Sequence, residues 1–334
     1  MAKVNVGING FGRIGRAAFK QLLEGDRAEV VAVNDLADVG DLAYLLQYDS
    51  VYGRFDEVRS DGSSLTAKGS KVPFFSHSHP REIPWKEVGA QVVIESTGAF
   101  RGRREAAAHL EAGAERVIIS APSSDVEGTF VPGVNEDEFD PVRHQVVSLA
   151  SCTTNCLAPV VKVLQEVFGV DYVMFTTVHA YTSSQSLVDT PVRKRRRGRA
   201  AALSVIPTTT GAAQATERVL PELEGRIDGM AMRVPVPDGS VTDLVAQLQQ
   251  DVTPAQVNEA FRKAAERPRL ERVLAVTEDE LVSQDIVGDP HSAIVDASST
   301  RVLKDRVAKV VAWYDNEWGY AARLVDFAAH IGGA

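Results

Sequence analysis

A glycine turn near the start of the chain constrains the fold more than any other feature. Residues 3–9 alternate as a strand does and lead directly into Gly10-Phe11-Gly12-Arg13-Ile14-Gly15. A helical stretch to about Leu23 follows, and then a β-branched run at 30–33 that ends at Asn34-Asp35. This order of strand, glycine turn, helix and strand predicts the opening βαβ unit of a doubly wound sheet.

The same turn predicts what the sheet binds. Glycines let the backbone approach a pyrophosphate, whose charge lies at the N-terminus of the helix. Asp35 follows Gly15 by 20 positions, where a carboxylate accepts hydrogen bonds from a ribose diol and repels a 2′-phosphate. The alternative is that Asp35 only caps the next helix. The full pattern favours dinucleotide binding, with NAD preferred over NADP.

The sequence predicts two domains that differ in the arrangement of their strands and helices. Strands at 92–95 and 117–120 flank a helix at 103–112, so the first domain, residues 1–150, is predicted to be Rossmann-type with a mainly parallel sheet. We predict an α/β chain whose second domain, residues 151–317, is α+β with a largely antiparallel sheet. The amphipathic segment 318–334 is expected to return to the first domain as a helix.

Past residue 150 the predicted elements are longer and closer together. Strands are expected at 171–178, 229–236, 240–248 and 307–314, and helices at 152–167, 211–219 and 254–266. The polar segment 181–205 has little periodicity and is expected to be a loop.

Composition excludes several classes of protein. The 334 residues include 36 Lys and Arg against 45 Asp and Glu, a net charge of −9 that argues against a general nucleic-acid binder. No run approaches the roughly 18 apolar residues of a membrane span, and no signal segment begins the chain. Only two cysteines are present, which fits a reducing compartment. We therefore expect a soluble cytoplasmic protein with no membrane partner.

Cys152 is the strongest candidate for a reactive group. The run 146–149 reads as a strand, and a predicted helix begins at Cys152 within Ser151-Cys152-Thr153-Thr154. Unpaired N–H groups and the positive end of the helix dipole are expected to lower the pKa of a thiol there. Cys156, one turn further, fits a buried inert residue. A metal site is not expected, because the Cys-x₃-Cys spacing has no second ligand pair.

Other candidates are a base and several anion-binding groups. His179 closes a predicted strand and could activate the thiol, although spacing alone leaves all seven histidines open. Arg233 lies inside an apolar strand, where a guanidinium needs an anion such as phosphate. Thr210-Gly211 opens a second helix and offers another anion site. The basic run 193–199 lacks interleaved aromatic residues, so a solvated loop is favoured over a nucleic-acid surface.

Several long segments together resemble one family. Ala-Ser-Cys-Thr-Thr-Asn-Cys-Leu at 150–157 resembles the active-site signature of the phosphorylating glyceraldehyde-3-phosphate dehydrogenases. Further segments similar to that family, in the same order along the chain, lie at 7–16, 95–98, 117–122, 229–235 and 313–320.

The resemblance implies specific roles. Cys152 would be the nucleophile, His179 would activate it, and 181–205 would be an S-shaped loop lying against a neighbour's cofactor in a homotetramer. Residues implied at the NAD site are Gly10, Phe11, Gly12, Arg13, Ile14, Gly15, Asn34, Asp35, Ser78, Thr97, Ser120, Asn316 and Tyr320. Thr182 and Arg233 would hold the substrate phosphate, with Arg197 as a further substrate contact. Inorganic phosphate would lie against Ser151, Thr153, Thr210 and Gly211.

The chain departs from the common family pattern in a few places. Ser78 stands where many members have an arginine, and Leu149 replaces a frequent asparagine. Ser184 and Ser186 replace an Asp and an Arg found in many bacterial members, although Asp35 and Pro191 still favour NAD. Two alternatives follow: an erythrose-4-phosphate dehydrogenase, which shares the cysteine–histidine pair, and a non-catalytic protein that binds RNA through 193–199.

Overall fold

The computed structural model describes residues 3–333, which divide into two compact units. The first unit contains the residues up to Phe130, Glu136–Ala150 and the residues from Ala321 onward. The second contains Val131–Asn135 and Ser151–Tyr320. Val131–Asn135 departs from the predicted boundary at residue 150, because Val131 and Val134 are buried in the core of the second unit. No helix among residues 3–333 is both long and apolar enough to cross a membrane.

The first unit is built on a nine-stranded sheet in the order β10-β11-β9-β8-β1-β2-β7-β6-β5. Its strands are Val4–Asn9 (β1), Ala28–Asn34 (β2), Tyr48–Asp49 (β3), Gly53–Arg54 (β4), Arg59–Ser60 (β5), Ser64–Ala67 (β6), Ser70–Phe75 (β7), Val92–Glu95 (β8), Arg116–Ile119 (β9), Gly128–Thr129 (β10) and Val146–Ser148 (β11). Its helices before residue 150 are Arg13–Glu24 (α1), Val39–Gln47 (α2), Arg103–Ala106 (α3) and Ala108–Glu111 (α4). β3 and β4 form a separate hairpin.

The pairing confirms the predicted Rossmann-type sheet. From β10 to β7 every neighbouring pair is parallel, whereas β7, β6 and β5 form an antiparallel edge that the sequence did not predict. β1 lies between β2 and β8. Strands β2, β7, β6 and β5 lie on one side of β1, and strands β8 to β11 lie on the other, so the order of the strands reverses at β1. Ligands of such sheets bind at this switch point, beyond the carboxyl ends of the strands. The glycine turn follows β1 at that position.

The predicted helix at 103–112 is two short helices, α3 and α4. The N–H of Leu110 bonds to the carbonyl of Ala107, three residues back, at 3.0 Å. This tighter bonding interrupts the regular α-helical ladder at Ala107.

The second unit is built on an eight-stranded sheet. Its strands are Val170–Ala180 (β12), Ile206–Thr208 (β13), Ile227–Val234 (β14), Ser240–Leu248 (β15), Leu274–Thr277 (β16), Ala293–Asp296 (β17), Arg301–Leu303 (β18) and Val307–Tyr314 (β19). Its helices are Cys152–Phe168 (α5), Ala212–Val219 (α6) and Pro254–Ala265 (α7). The order is β13-β14-β12-β15-β19-β17-β16, with β18 on β19. Most pairs are antiparallel, as predicted, but β12 pairs with β14 and β16 with β17 in parallel.

Burial explains the position of α5, on which the site depends. β15 and β19 alternate buried and half-buried residues, so one face of the sheet is covered. Leu157, Val160, Val161 and Leu164 of α5 are fully buried in the core of this unit. Burying each such side chain stabilises the fold by about 1.5–3 kcal/mol. This packing fixes the position of the helix, whose first residue is Cys152.

The last helix, Trp318–Gly332 (α8), belongs to the first unit from Ala321 onward. Phe327 stacks on Phe130 with ring centroids 5.3 Å apart, and the carbonyl of Gly332 accepts a hydrogen bond from the Gln91 side chain. These contacts join the C-terminal segment to the rest of that unit.

Candidate active site

Cys152 and His179 lie side by side in the second unit. Ser151 caps α5, because its hydroxyl oxygen accepts a hydrogen bond from the N–H of Thr154 at 3.1 Å. His179 is the penultimate residue of β12, and its Nε2 lies 3.4 Å from Cys152 Sγ. The two elements therefore bring a thiol and an imidazole within hydrogen-bonding distance, although 27 positions separate them in the sequence.

The neighbours of the imidazole define its tautomer. His179 Nδ1 lies 2.7 Å from the carbonyl oxygen of Ala180, which can only accept a hydrogen bond. We assign the proton to Nδ1, because this carbonyl is closer to it than its other polar neighbour, Arg233 Nη1, which lies 3.0 Å away. The lone pair of the neutral ring is on Nε2 and faces the sulfur, which is the arrangement a general base requires.

Both groups of the pair are held neutral. Burial, followed by the positive charge of Arg233, lowers the pKa of His179 to about 3. Burial raises the pKa of the Cys152 thiol to about 11, while Arg233 and hydrogen bonds from Thr153 act in the opposite direction. The expectation of a lowered thiol pKa is thus wrong for this state, because desolvation of the sulfur exceeds the effect of the positive groups. The pair is poised for proton transfer rather than already ionised.

Arg233 completes this group through strand pairing. It stands opposite His179 in the parallel register of β12 and β14. Its Nη1 donates to the carbonyl of Ala180 at 2.9 Å and lies 3.0 Å from His179 Nδ1. Its Nε is buried and has no acceptor within reach among residues 3–333. A buried guanidinium with an unused donor fits an anionic ligand.

Tyr314 is linked to the Cys152 thiol through Thr153. Its hydroxyl lies 2.9 Å from the hydroxyl of Thr153 and 2.7 Å from that of Thr177. Thr153 in turn hydrogen-bonds Cys152 through its side chain and its N–H. Tyr314 lies in a segment that carries the family resemblance, but sequence reasoning gave it no role.

The remaining predicted anion-binding residues occupy several loops of this unit. The Arg197 guanidinium donates to Thr208 Oγ1 at 3.0 Å, and its charge acts on both His179 and Arg233. The Thr182 hydroxyl lies 2.8 Å from that of Ser184. Thr210 accepts a bond from the N–H of Ala212, and Gly211 stands at the N-cap of α6.

The glycine turn of the first unit has the shape that a pyrophosphate needs. A Cβ on Gly15 would lie 2.0 Å from the carbonyl oxygen of Gly10, so only glycine allows α1 to approach β1 this closely. A Cβ on Gly12 would meet no heavy atom of residues 3–333 within 4 Å. Gly12 is the N-cap residue of α1 and no side-chain cap hydrogen bond is made there, which leaves the helix N-terminus for an anion. These features fit a bound dinucleotide.

Neighbouring predicted residues hold the turn in place. Asp35 accepts hydrogen bonds from the N–H groups of Phe11 at 2.6 Å and Ala37 at 3.0 Å. The Phe11 ring is buried and packs edge-on against Phe19. Asn34 bonds the side chain of Asn9 and the backbone of His77, which precedes the exposed Ser78. Arg13 pairs with Asp49 at 2.7 Å, and Ile14 is half-buried beside it.

The buried carboxylate of Glu95, the last residue of β8, hydrogen-bonds several neighbouring residues. Glu95 accepts hydrogen bonds from the N–H and hydroxyl of Thr97 on one oxygen. Its other oxygen lies 2.6 Å from Asn9 Nδ2 and 3.0 Å from His109 Nε2. The N–H of Ser120 donates to the carbonyl of Glu95 at 3.0 Å. Thr97 and Ser120 are therefore fixed by one residue that sequence reasoning missed.

The last two predicted NAD contacts, Asn316 and Tyr320, belong to the second unit, as do Cys152 and His179. Both are buried, and the carboxamide oxygen of Asn316 accepts a hydrogen bond from Ser240. Ser240 is a further residue that sequence reasoning missed, since nothing in the local pattern distinguishes it from other residues that begin a strand. Among residues 3–333 there is no group of three His, Cys, Asp or Glu that could hold a metal ion.

Comparison with known proteins matches both units. The family model "Glyceraldehyde 3-phosphate dehydrogenase, NAD binding domain" matches residues 4–103, and the model of the C-terminal domain matches residues 151–316. Together with the fold, these matches define an NAD-dependent dehydrogenase.

Curated relatives extend the match over almost the whole chain. Glyceraldehyde-3-phosphate dehydrogenase of Geobacillus stearothermophilus is 54% identical over 329 residues, covering 98% of each chain. The enzyme of the same name from Streptomyces coelicolor is 52% identical over 331 residues, again covering 98% of each. The chain belongs to the glyceraldehyde-3-phosphate dehydrogenase family.

Proposed function

We propose that the protein oxidises D-glyceraldehyde 3-phosphate to 1,3-bisphosphoglycerate, using NAD and inorganic phosphate, as a step of glycolysis and gluconeogenesis. The names of the relatives support this substrate. The observation that carries the proposal is His179 Nε2 at 3.4 Å from Cys152 Sγ, in a site where Arg233 also contacts His179 and keeps an unused Nε donor. A nucleophile, its base and an anion-binding group thus occur together.

The first bond forms between Cys152 Sγ and the aldehyde carbon. His179 Nε2 accepts the thiol proton as the bond forms and returns it to the former carbonyl oxygen, which gives a hemithioacetal. His179 then takes the hydroxyl proton again as the carbon becomes a thioester and a hydride leaves it. NAD, when bound, supplies the acceptor for this hydride. A Cys152 thioester is more reactive than an oxygen ester, so a serine would serve poorly here.

The second stage transfers the acyl group. An oxygen of inorganic phosphate attacks the thioester carbon, the carbon–sulfur bond breaks, and Cys152 leaves as a thiolate that recovers a proton from His179. The product is an acyl phosphate, and the enzyme returns to its neutral pair.

Two phosphate groups need cationic or N–H donors. We assign the substrate phosphate to Arg233 and Thr182, with Arg197 as an additional contact. Inorganic phosphate is assigned to Ser151, Thr153, Thr210 and Gly211, which lie at the N-termini of α5 and α6.

The NAD assignment rests on the glycine turn and on Asp35. The open space beside Gly12 and the absence of a side-chain cap on α1 support the pyrophosphate at this position. The Asp35 carboxylate keeps lone pairs for a ribose diol beyond its bonds to the backbone.

We further propose a cytoplasmic homotetramer in which the loop 181–205 contacts a neighbouring subunit. Leu187, Val188, Leu203 and Val205 of this loop are 61–84% exposed, an unusual density of exposed apolar side chains that supports burial in an assembly. Light scattering at graded protein concentrations measures the assembly directly.

The initial rate of NAD reduction with glyceraldehyde 3-phosphate tests the function. We expect a rate that requires inorganic phosphate and exceeds the rate with NADP. Comparable use of NADP would contradict the role of Asp35. A rate with erythrose 4-phosphate that exceeds the rate with glyceraldehyde 3-phosphate would overturn the substrate assignment.

A further inference from the structure

Ser240, the first residue of β15, lies at the junction of two parts of the site. Its side chain is fully buried. Its hydroxyl oxygen accepts a hydrogen bond from the N–H of Ala180 at 3.1 Å. The same hydroxyl lies 2.5 Å from Oδ1 of Asn316. One oxygen therefore connects the end of β12 to the Asn316 side chain.

The direction of these bonds follows from the chemistry of the groups. A backbone N–H only donates, so Ser240 Oγ is the acceptor toward Ala180 and its own proton needs an acceptor. Within this buried environment the carboxamide oxygen of Asn316 takes that proton. The Asn316 carboxamide is thereby held with its oxygen toward Ser240 and its nitrogen away from it.

The orientation leaves an unused donor. Asn316 is 4% exposed, and its Nδ2 has no hydrogen-bond acceptor among residues 3–333. A buried N–H without a partner is costly, so a donor kept in this way indicates a ligand acceptor. Asn316 belongs to the same unit as Cys152 and His179, where the hydride leaves the substrate. The nicotinamide ring carries one polar substituent, a carboxamide with an acceptor carbonyl and a donor amino group.

We infer that Ser240 is a positioning residue that locks Asn316 with its N–H toward the carbonyl of the nicotinamide carboxamide, and so sets the orientation of the ring. The inference rests on the proposed function. Ser240 also secures the peptide of Ala180, whose carbonyl accepts bonds from His179 and Arg233. A single hydroxyl thus keeps the cofactor contact and the catalytic base in a fixed relation.

The test compares the dissociation constants of NAD and of 3-acetylpyridine adenine dinucleotide in the intact enzyme, measured by calorimetry. The analogue keeps the ring carbonyl but lacks the amino group. The wild-type enzyme offers a donor, so both ligands are expected to bind with similar affinity. In Ser240→Ala, Asn316 is free to rotate and offer its oxygen, which the amino group of NAD can satisfy and the analogue cannot. We expect the analogue to lose roughly five- to tenfold more affinity than NAD, the effect of about one hydrogen bond.

The matched control is Thr242→Val, which removes a second fully buried hydroxyl two residues along β15, beside Cys156. We expect this variant to leave the affinity ratio of the two ligands unchanged. An unchanged affinity ratio in Ser240→Ala, or an equal change in Thr242→Val, would overturn the inference.

A second variant covers the case in which Ser240→Ala does not fold. Asn316→Asp has the same shape but presents an acceptor where Nδ2 was, so both ligands should weaken and the analogue should weaken more. An unchanged affinity ratio in this variant contradicts the donor assignment. These binding measurements need no aldehyde substrate, so failure of the substrate proposal and failure of this inference are distinguishable.

Discussion

Two glycines of the same turn are expected to respond in opposite ways to one added methyl group. At Gly12 the backbone angles suit alanine, and a Cβ would meet no heavy atom of residues 3–333 within 4 Å. At Gly15 the Cβ would lie 2.0 Å from the Gly10 carbonyl oxygen. Gly12→Ala therefore intrudes only on the space assigned to the pyrophosphate, whereas Gly15→Ala intrudes on the protein itself.

The magnitudes follow from these distances. For Gly12→Ala the loss of a favourable N-cap glycine and the reduced freedom of the unfolded chain act in opposite directions, so stability changes by less than about 1 kcal/mol. Losing one charge-assisted hydrogen bond to phosphate costs about 1.5–3 kcal/mol, which weakens NAD binding roughly 10- to 150-fold. Relieving the Gly15→Ala overlap requires a shift of more than ~1 Å, and such overpacking costs about 1–3 kcal/mol or more.

Two assays separate the effects. Calorimetric unfolding without NAD should leave the melting temperature of Gly12→Ala within roughly 3 °C of the wild type and lower that of Gly15→Ala. Titration with NAD should show the weakened affinity in Gly12→Ala. Wild-type NAD affinity in a folded Gly12→Ala protein would refute the assignment of this turn to the pyrophosphate.

Four further outcomes are expected. Cys152→Ser should abolish phosphate-dependent NAD reduction while the NAD dissociation constant stays near the wild-type value; residual activity close to wild type would remove the nucleophile assignment. His179→Asn should slow turnover by roughly 10²–10⁴-fold and shift iodoacetamide alkylation of Cys152 to higher pH, and an unshifted profile would count against the pairing. The charge of Arg233 lowers the pKa of both Cys152 and His179, so Arg233→Leu should raise both pKa values and move alkylation of Cys152 to higher pH. The same variant should raise the KM for the aldehyde, and Arg233→Lys should stay closer to the wild type in both measurements. Glu95→Gln places a donor amide against other donors and should lower the free energy of unfolding by about 1–3 kcal/mol in urea titrations; equal stability would show that the carboxylate is dispensable.

Local features of the chain were readable from the sequence. The strand–glycine turn–helix order around Gly10 to Gly15 predicted the Rossmann-type sheet, and the strands at 240–248 and 307–314 have the predicted bounds. The helix beginning at Cys152 was also predicted. Periodicity and turn chemistry act within windows of roughly 10–20 residues, so a single sequence carries enough information for these elements.

Contacts between distant segments were decided only by the tertiary structure. Spacing left all seven histidines open, and the register of β12 with β14 is what places His179 opposite Arg233 and next to the thiol. The roles of Ser240 and Glu95 also depend on distant partners. Ser240 bonds Ala180 and Asn316, which are 60 and 76 residues away, and Glu95 bonds Asn9, which is 86 residues away. The direction of the Cys152 pKa shift was mispredicted for this reason as well. The helix terminus is visible in the sequence, but the burial that raises the pKa of Cys152 comes from atoms that the fold brings together.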